Sequence, residues 1–439
     1  MERIIIDKGI VKQKINELGI LSVCNISIRE LVKLVDAIEK ETGYQYIRME
    51  LGVPGIKACS IGVDAEIEAL KNGYASVYSN IEGIPELKNE LSRFSKLFLN
   101  ITVSASSCIP TVGGMQASFA AFIIANRTDK SKGATLFIDP GFSVQKQQIK
   151  TLGFPYISFD IYNFRGEKLR EKLESYLTNG IFSSIIYSNP NNPTWICFTN
   201  QELQIIGEVA SKYDVIVIED LAYIGMDFRE DFSLPGQAPY PPTVANYTNN
   251  YILLISASKI FSFAGERLGA IVVSDDLINR NYSDLKQYFG TETFGNALIY
   301  GALYPMTAST SHAGQYAFAT MLKTINDGEF NYVNELKIYG EQAKVMKRLF
   351  TENGFYIVYE KDDEKPLADG FYFTFCYPGL TGKELSEELL YYGISAISLK
   401  ITGSDREGLR ACVSLVHENL YGILEKRLKQ FNEDHPINK

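Results

Sequence analysis

Residues 182–220 read FSSIIYSNPNNPTWICFTNQELQIIGEVASKYDVIVIED. FSSIIYS and DVIVIED are short, apolar and rich in β-branched residues, and they leave no polar face for water, which predicts strands covered on both sides. Between them Thr199 and Glu202 form a capping box ahead of the apolar-periodic run ELQIIGEVASKY, which predicts a helix. Strands of this kind interleaved with helices belong to a mostly parallel sheet, so the fold class is α/β.

The same grammar extends outward. ATLFID (134–139), YILLIS (251–256) and LGAIVV (268–273) are further buried strands. Ser27 with Glu30 and Thr381 with Glu384 are capping boxes, and Gly43 and Gly393 read as helix stops. Pro85 suits the first turn of ELKNELSRFSKLF, and GEKLREKLESYLTNG is a polar-faced helix closed by Gly180. Residues 51–320 are expected to form one large domain. From 321 to 439 a long helix is followed by YFTFCYP and LRACVSLV, which alternate as half-buried strands do, so a smaller α+β domain is expected, completed by residues 1–50.

Composition narrows the function. The 439 residues carry 43 Lys and Arg against 52 Asp and Glu, net −9, with both signs interspersed, which argues against broad nucleic-acid binding. The N-terminal apolar run breaks after Ile6 and no stretch approaches a membrane span, so a soluble, unexported, cytoplasmic protein is expected, with no membrane partner. Six scattered cysteines without a CxxC pair, beside three histidines, predict reduced, buried thiols and no metal.

In open α/β sheets ligands sit at the carboxyl ends of the strands. There the chain places Asn189 to Thr194 after FSSIIYS, Asp220 to Tyr223 after DVIVIE, and Ala257, Ser258 and Lys259 after YILLIS, with Arg267 close behind. Gly113, Gly114, Met115 and Gln116 open an apolar run, and a glycine pair at a helix start is an anion site. Ser256, Ser258 and Arg267 add donors to the same anion. Pyridoxal 5'-phosphate needs this set: a Schiff-base lysine (Lys259), a carboxylate for its ring nitrogen (Asp220), phosphate donors, and a stacking aromatic (Phe142 after ATLFIDPG). Asn192 and Tyr223 are candidates to hydrogen-bond the ring hydroxyl, and the free lysine is the candidate proton carrier.

The chain resembles the class I/II aminotransferases of fold type I. The pieces YSNIEGIPEL, PTVGGMQASF, DPGF, NPNNPT, EDLAYIGM, SASKIFSFAGERLGAIV and LRACVS follow that family's order and approximate spacing, from Gly52 to Arg410. The resemblance implies a seven-stranded-type sheet between helices, as in aspartate aminotransferase, and a homodimer with active sites at the subunit interface. It implies cofactor contacts from Gly114, Met115 and Phe142, and a Tyr78 that reaches the partner's cofactor phosphate. It also places Gly52 and Asn192 beside the substrate and gives Arg410 the substrate α-carboxylate, with an amino acid and a 2-oxo acid as substrates.

There are departures. Trp195 stands where the family usually has glycine, Phe142 replaces a tyrosine or tryptophan, and no arginine lies between Arg280 and Arg348. The last argues against dicarboxylate recognition by two arginines and turns the expectation toward neutral or aromatic donors. Transamination through Lys259 is the leading expectation. A C–S β-lyase or decarboxylase on the same fold, and a non-catalytic binding or regulatory protein, are the alternatives. Arg406 competes with Arg410, His312 is read as a core or interface residue, and PGLTGKE has the wrong glycine spacing for a nucleotide loop.

Overall fold

The computed structural model describes residues 6–436, so the start of the N-terminal apolar run, Met1 to Ile5, lies outside the described residues. Two compact units divide the chain: a larger one of Ile56–Pro190 with Cys197–Leu336, and a smaller one of Met1–Gly55, Asn191–Ile196 and Lys337–Lys439.

The larger unit is built on seven strands: β1 (Cys108–Val112), β2 (Ala134–Asp139), β3 (Tyr156–Asp160), β4 (Phe182–Ser188), β5 (Ile216–Asp220), β6 (Tyr251–Ser256) and β7 (Leu268–Val273). Their order is β1-β7-β6-β5-β4-β2-β3, parallel from β6 through β3, with β7 antiparallel to both its neighbours. The five strands read from sequence are all present, and β2, β4, β6 and β7 are buried at every residue, as their doubly apolar composition requires. The two strands absent from that reading are the two edges. β1 contains Pro110, which an edge strand tolerates because one side of its ladder is open, and β3 is half-exposed over its first residues.

Helix Gly113–Ala125 is apolar all round and mostly buried, packed on β6 and β7. The helix His312–Asn326 packs on Ser60–Lys71 and Pro85–Leu99, which draws the end of this unit to Leu336. The boundaries expected at 50/51 and 320/321 therefore move to 55/56 and 336/337, the second falling inside the helix Tyr332–Glu352. The helix expected to close at Gly180 ends three residues earlier, at Leu177.

In the smaller unit β8 (Tyr356–Ile357), β9 (Tyr372–Cys376), β10 (Ile397–Ser398) and β11 (Leu409–Cys412) form an antiparallel sheet in the order β10-β11-β9-β8. The half-buried alternation expected of β9 and β11 is corrected: every residue of both is buried. Phe373 and Phe375 pack on Phe350, while Tyr372, facing the other way, meets Trp195 and Arg410. Aromatic cover on both faces removes the polar face that alternation presupposes. The segment Asn191–Ile196 joins this unit because Trp195 packs on Tyr372 and Asn192 accepts from Arg410. The three capping boxes are formed as read. Thr381 of PGLTGKE is one of those caps, in keeping with its rejection as a nucleotide loop. All six cysteines are free, five buried and Cys59 half-buried, and no described helix is long and apolar enough to cross a membrane.

Candidate functional site

In the larger unit the candidate residues gather where strands end. Asp220 is the last residue of β5, and Lys259 lies one turn beyond Ser256, the last residue of adjacent β6. Asp220 keeps some accessible surface, but its carboxylate is enclosed by protein, and its contacts are neutral. The Ala222 N–H donates to Oδ1 at 3.1 Å and Gln145 Nε2 donates to Oδ2 at 2.8 Å. Burial pushes its carboxyl up to about 6, only partly offset by these two donors. The preceding Glu219 points to the opposite face of the strand, where it accepts from Thr243 Oγ1 at 2.5 Å and the Val244 N–H at 3.1 Å. It serves the core, whereas Asp220 is held ionisable without a cation, the setting that suits a protonated ring nitrogen.

Gln145 is the residue that sequence reasoning missed. It stands three positions after Phe142, the half-buried N-cap of helix Ser143–Thr151, so both lie on one face of the turn that follows β2. The i, i+3 spacing from Phe142 is the signal that was available. The Met115 carbonyl accepts from Gln148 Nε2, three residues further along that helix than Gln145, at 2.9 Å.

The anion cradle forms at the start of helix Gly113–Ala125. Gly113 has φ +67°, and a Cβ there would fall 2.5 Å from Arg267 Nη2, so a side chain would be strained and would have to displace the guanidinium. Gly114 faces Ser256, whose Oγ accepts from the Ser258 N–H at 3.2 Å. Arg267 turns its Nη1 to the Ala264 carbonyl at 2.7 Å and to Ser258 Oγ at 3.5 Å, and it pairs with no carboxylate among the described residues. Helix-start N–H groups, two serines and a guanidinium without a carboxylate partner among the described residues thus converge, a set of donors suited to an anion. Tyr223 is buried in the turn after Asp220, and Lys259 is half-buried. Tyr78 is 89% exposed. His312 is a packing residue, its Nδ1 2.9 Å from the Val77 carbonyl and its ring against Tyr74 and Tyr316.

The smaller unit brings together Gly52, Asn192 and Arg410. Arg410 is only 3% exposed, and its guanidinium has no carboxylate partner among the described residues. Nη2 donates to the Glu50 carbonyl at 2.5 Å and Nη1 to Asn192 Oδ1 at 3.3 Å, while its buried Nε–H has no acceptor. The Glu50 carboxylate is already taken by Arg48 Nε at 2.7 Å and Ser395 Oγ at 2.6 Å. A buried cation without a counter-ion is costly unless an anion arrives. Arg406 is a weak competitor: half-buried, it lies over the Tyr359 ring at 5.7 Å. Gly52 sits under the Tyr372 phenol oxygen, and a Cβ there would collide with it.

Comparison with known proteins gives the family. Over 248 aligned residues the chain is 25% identical to an aspartate aminotransferase of Sulfolobus acidocaldarius, covering 56% of this chain and 59% of that enzyme's length. It is 24% identical over 294 residues to an asparagine–oxo-acid transaminase of Streptococcus mutans, covering 65% of this chain and 71% of the relative. Among solved structures, an aspartate aminotransferase from Thermotoga maritima superposes with a TM-score of 0.74 at 19% identity, over 96% of this chain and 99% of that one. The family model for aminotransferase class I and II matches residues 58–426, and the chain belongs to that family.

Proposed function

We propose that the protein is a pyridoxal-phosphate-dependent aminotransferase, moving an amino group from an amino acid to a 2-oxo acid. The observation that carries this reading is Asp220: an enclosed carboxylate with only neutral donors, on the strand beside the one that leads into Lys259. The residues fit the cofactor. The cradle of Gly114, Ser256, Ser258 and Arg267 would hold its phosphate, Asp220 its ring nitrogen, Phe142 its ring face, Asn192 and Tyr223 its ring oxygen, and Lys259 its aldehyde. When bound, the cofactor supplies an electron sink for the bond broken at the substrate α-carbon.

The chain's own groups do the rest. Asp220 holds a proton on the ring nitrogen, and Gln145 and the Ala222 N–H keep its carboxylate turned toward that task. Lys259, once free, takes a proton from the α-carbon side and returns it, as a positioned amine does in general acid–base catalysis. Arg410 binds the substrate carboxylate, its buried Nε–H being without an acceptor among the described residues, and Gly52 makes way for the Tyr372 hydroxyl of the same pocket wall. We read the working form as a cytoplasmic homodimer. Exposed Val63, Ile67 and Leu70 on helix Ser60–Lys71, with Val77 and Tyr78 beyond it, support that reading, since together they make an apolar face for a partner. Tyr78 would then act at the partner's phosphate.

The test is a visible absorption spectrum of the purified protein supplied with cofactor, beside Lys259→Ala. A cofactor band that amino acids convert in the wild type, and that is absent or displaced in the variant, supports the assignment. An identical, unresponsive spectrum in both removes Lys259 from its role.

A further inference from the structure

We propose that Trp195 and Tyr372 form an aromatic brace that fixes the plane of the Arg410 guanidinium, making both of them determinants of affinity for the substrate carboxylate. The inference rests on the reading of Arg410 given above and adds the residues that aim it. The Arg410 Cζ lies 4.5 Å over the Tyr372 ring centroid, and the Trp195 indole meets Tyr372 in an edge-type contact, with centroids 6.1 Å apart at 65°. Trp195 and Tyr372 are both almost wholly buried.

Two further features show that the brace is built in. Trp195 holds φ +67°, a left-handed conformation costly for a bulky residue, and keeps it with its side chain fully buried. Gly370 has no Cβ where one would run into the Trp195 ring, and Gly52 has none where one would run into the Tyr372 hydroxyl. The two glycines leave the aromatic pair the space it fills. Asn192 and the Glu50 carbonyl hold two guanidinium corners, and the ring beneath removes the tilt that would remain. A desolvated cation–π contact is of the size that changes affinity about tenfold or more.

Trp195 is the sole tryptophan of the chain, so its emission reports on the brace directly. The experiment titrates the holoenzyme with 2-oxoglutarate, following tryptophan fluorescence. It also measures KM and kcat for the best donor among L-aspartate, L-asparagine, L-alanine and L-phenylalanine. A saturable change in emission is expected in the wild type and its loss in Arg410→Leu. Tyr372→Leu should weaken 2-oxoglutarate binding and raise the donor KM about tenfold, with kcat within about threefold, and Tyr372→Phe, which keeps the ring, should recover most of that affinity. Trp195→Phe, a milder change that leaves the core apolar, should raise KM about threefold. If Arg410→Leu loses binding while Tyr372→Leu and Trp195→Phe leave KM unchanged, the brace is wrong and the carboxylate site stands. If Arg410→Leu binds as the wild type does, the site reading itself fails. A fall in kcat alone in Tyr372→Leu also overturns the brace, because it would place the ring in the chemistry.

Discussion

Asp220 gives the sharpest quantitative test, because the group assigned to the chemistry should weaken the cofactor-free fold. Its carboxyl is raised from the ordinary 3.8 to about 6 by burial, with no cation nearby to compensate. At neutral pH the folded protein therefore carries an ionised carboxylate that costs about 3 kcal/mol relative to the unfolded chain. The sign follows from proton linkage. At low pH the group is protonated in both states and costs nothing. Between 3.8 and about 6 the unfolded chain has lost its proton while the folded one keeps it, so stability falls as pH rises through that window, and the full penalty applies above it. Asp220→Asn removes the charge, and Gln145 can turn its amide to accept from the new side-chain NH2. Urea unfolding of the cofactor-free protein should then show the variant gaining about 2–3 kcal/mol on the wild type between about pH 4 and about pH 8. Turnover of the loaded enzyme should fall by orders of magnitude. A gain that is absent, or the same at every pH, would refute the argument that Asp220 is held ionised at a cost for the sake of function.

Other substitutions test separate parts of the account. Gly113→Ala puts a Cβ 2.5 Å from Arg267 Nη2 at φ +67°, and should weaken cofactor binding about tenfold or more in an equilibrium titration, without lowering kcat at saturation to the same degree. Gly370→Ala meets the rigid, buried Trp195 indole, and should destabilise the protein by about 1–3 kcal/mol in thermal or urea unfolding, with Trp195→Phe recovering part of the loss as a coupled pair. Gln145→Leu removes one of the two donors to Asp220 and should lower kcat about tenfold with little change in KM, since Gln145 acts on the cofactor side.

The central strands were legible because both their faces are buried, so composition alone marks them. The edge strands were not: Pro110 interrupts β1, and the exposed start of β3 dilutes its apolar signal. The candidate cluster could be assembled from the sequence because each residue ends or follows a strand or opens a helix, where chemistry accumulates in this class of sheet. Gln145 escaped because an amide inside a polar helix carries no motif; its i, i+3 spacing from Phe142 marks a shared helix face, but only the fold shows that this face meets Asp220. Trp195 was visible as a departure from glycine, but not its consequence. The positive φ shows why glycine suits the position, and the contact with Tyr372 shows what the indole does there.

The most direct test of the central claim follows nitrogen itself. The holoenzyme is incubated with 15N-labelled donor amino acids and 2-oxoglutarate, and the products are read by NMR or mass spectrometry. Transamination predicts that the label appears in newly formed glutamate, one for each 2-oxo acid released from the donor, and that Lys259→Ala abolishes the transfer. Label released as free ammonia, or as an amine with loss of carbon dioxide, would contradict transamination and assign the same residues to elimination or decarboxylation.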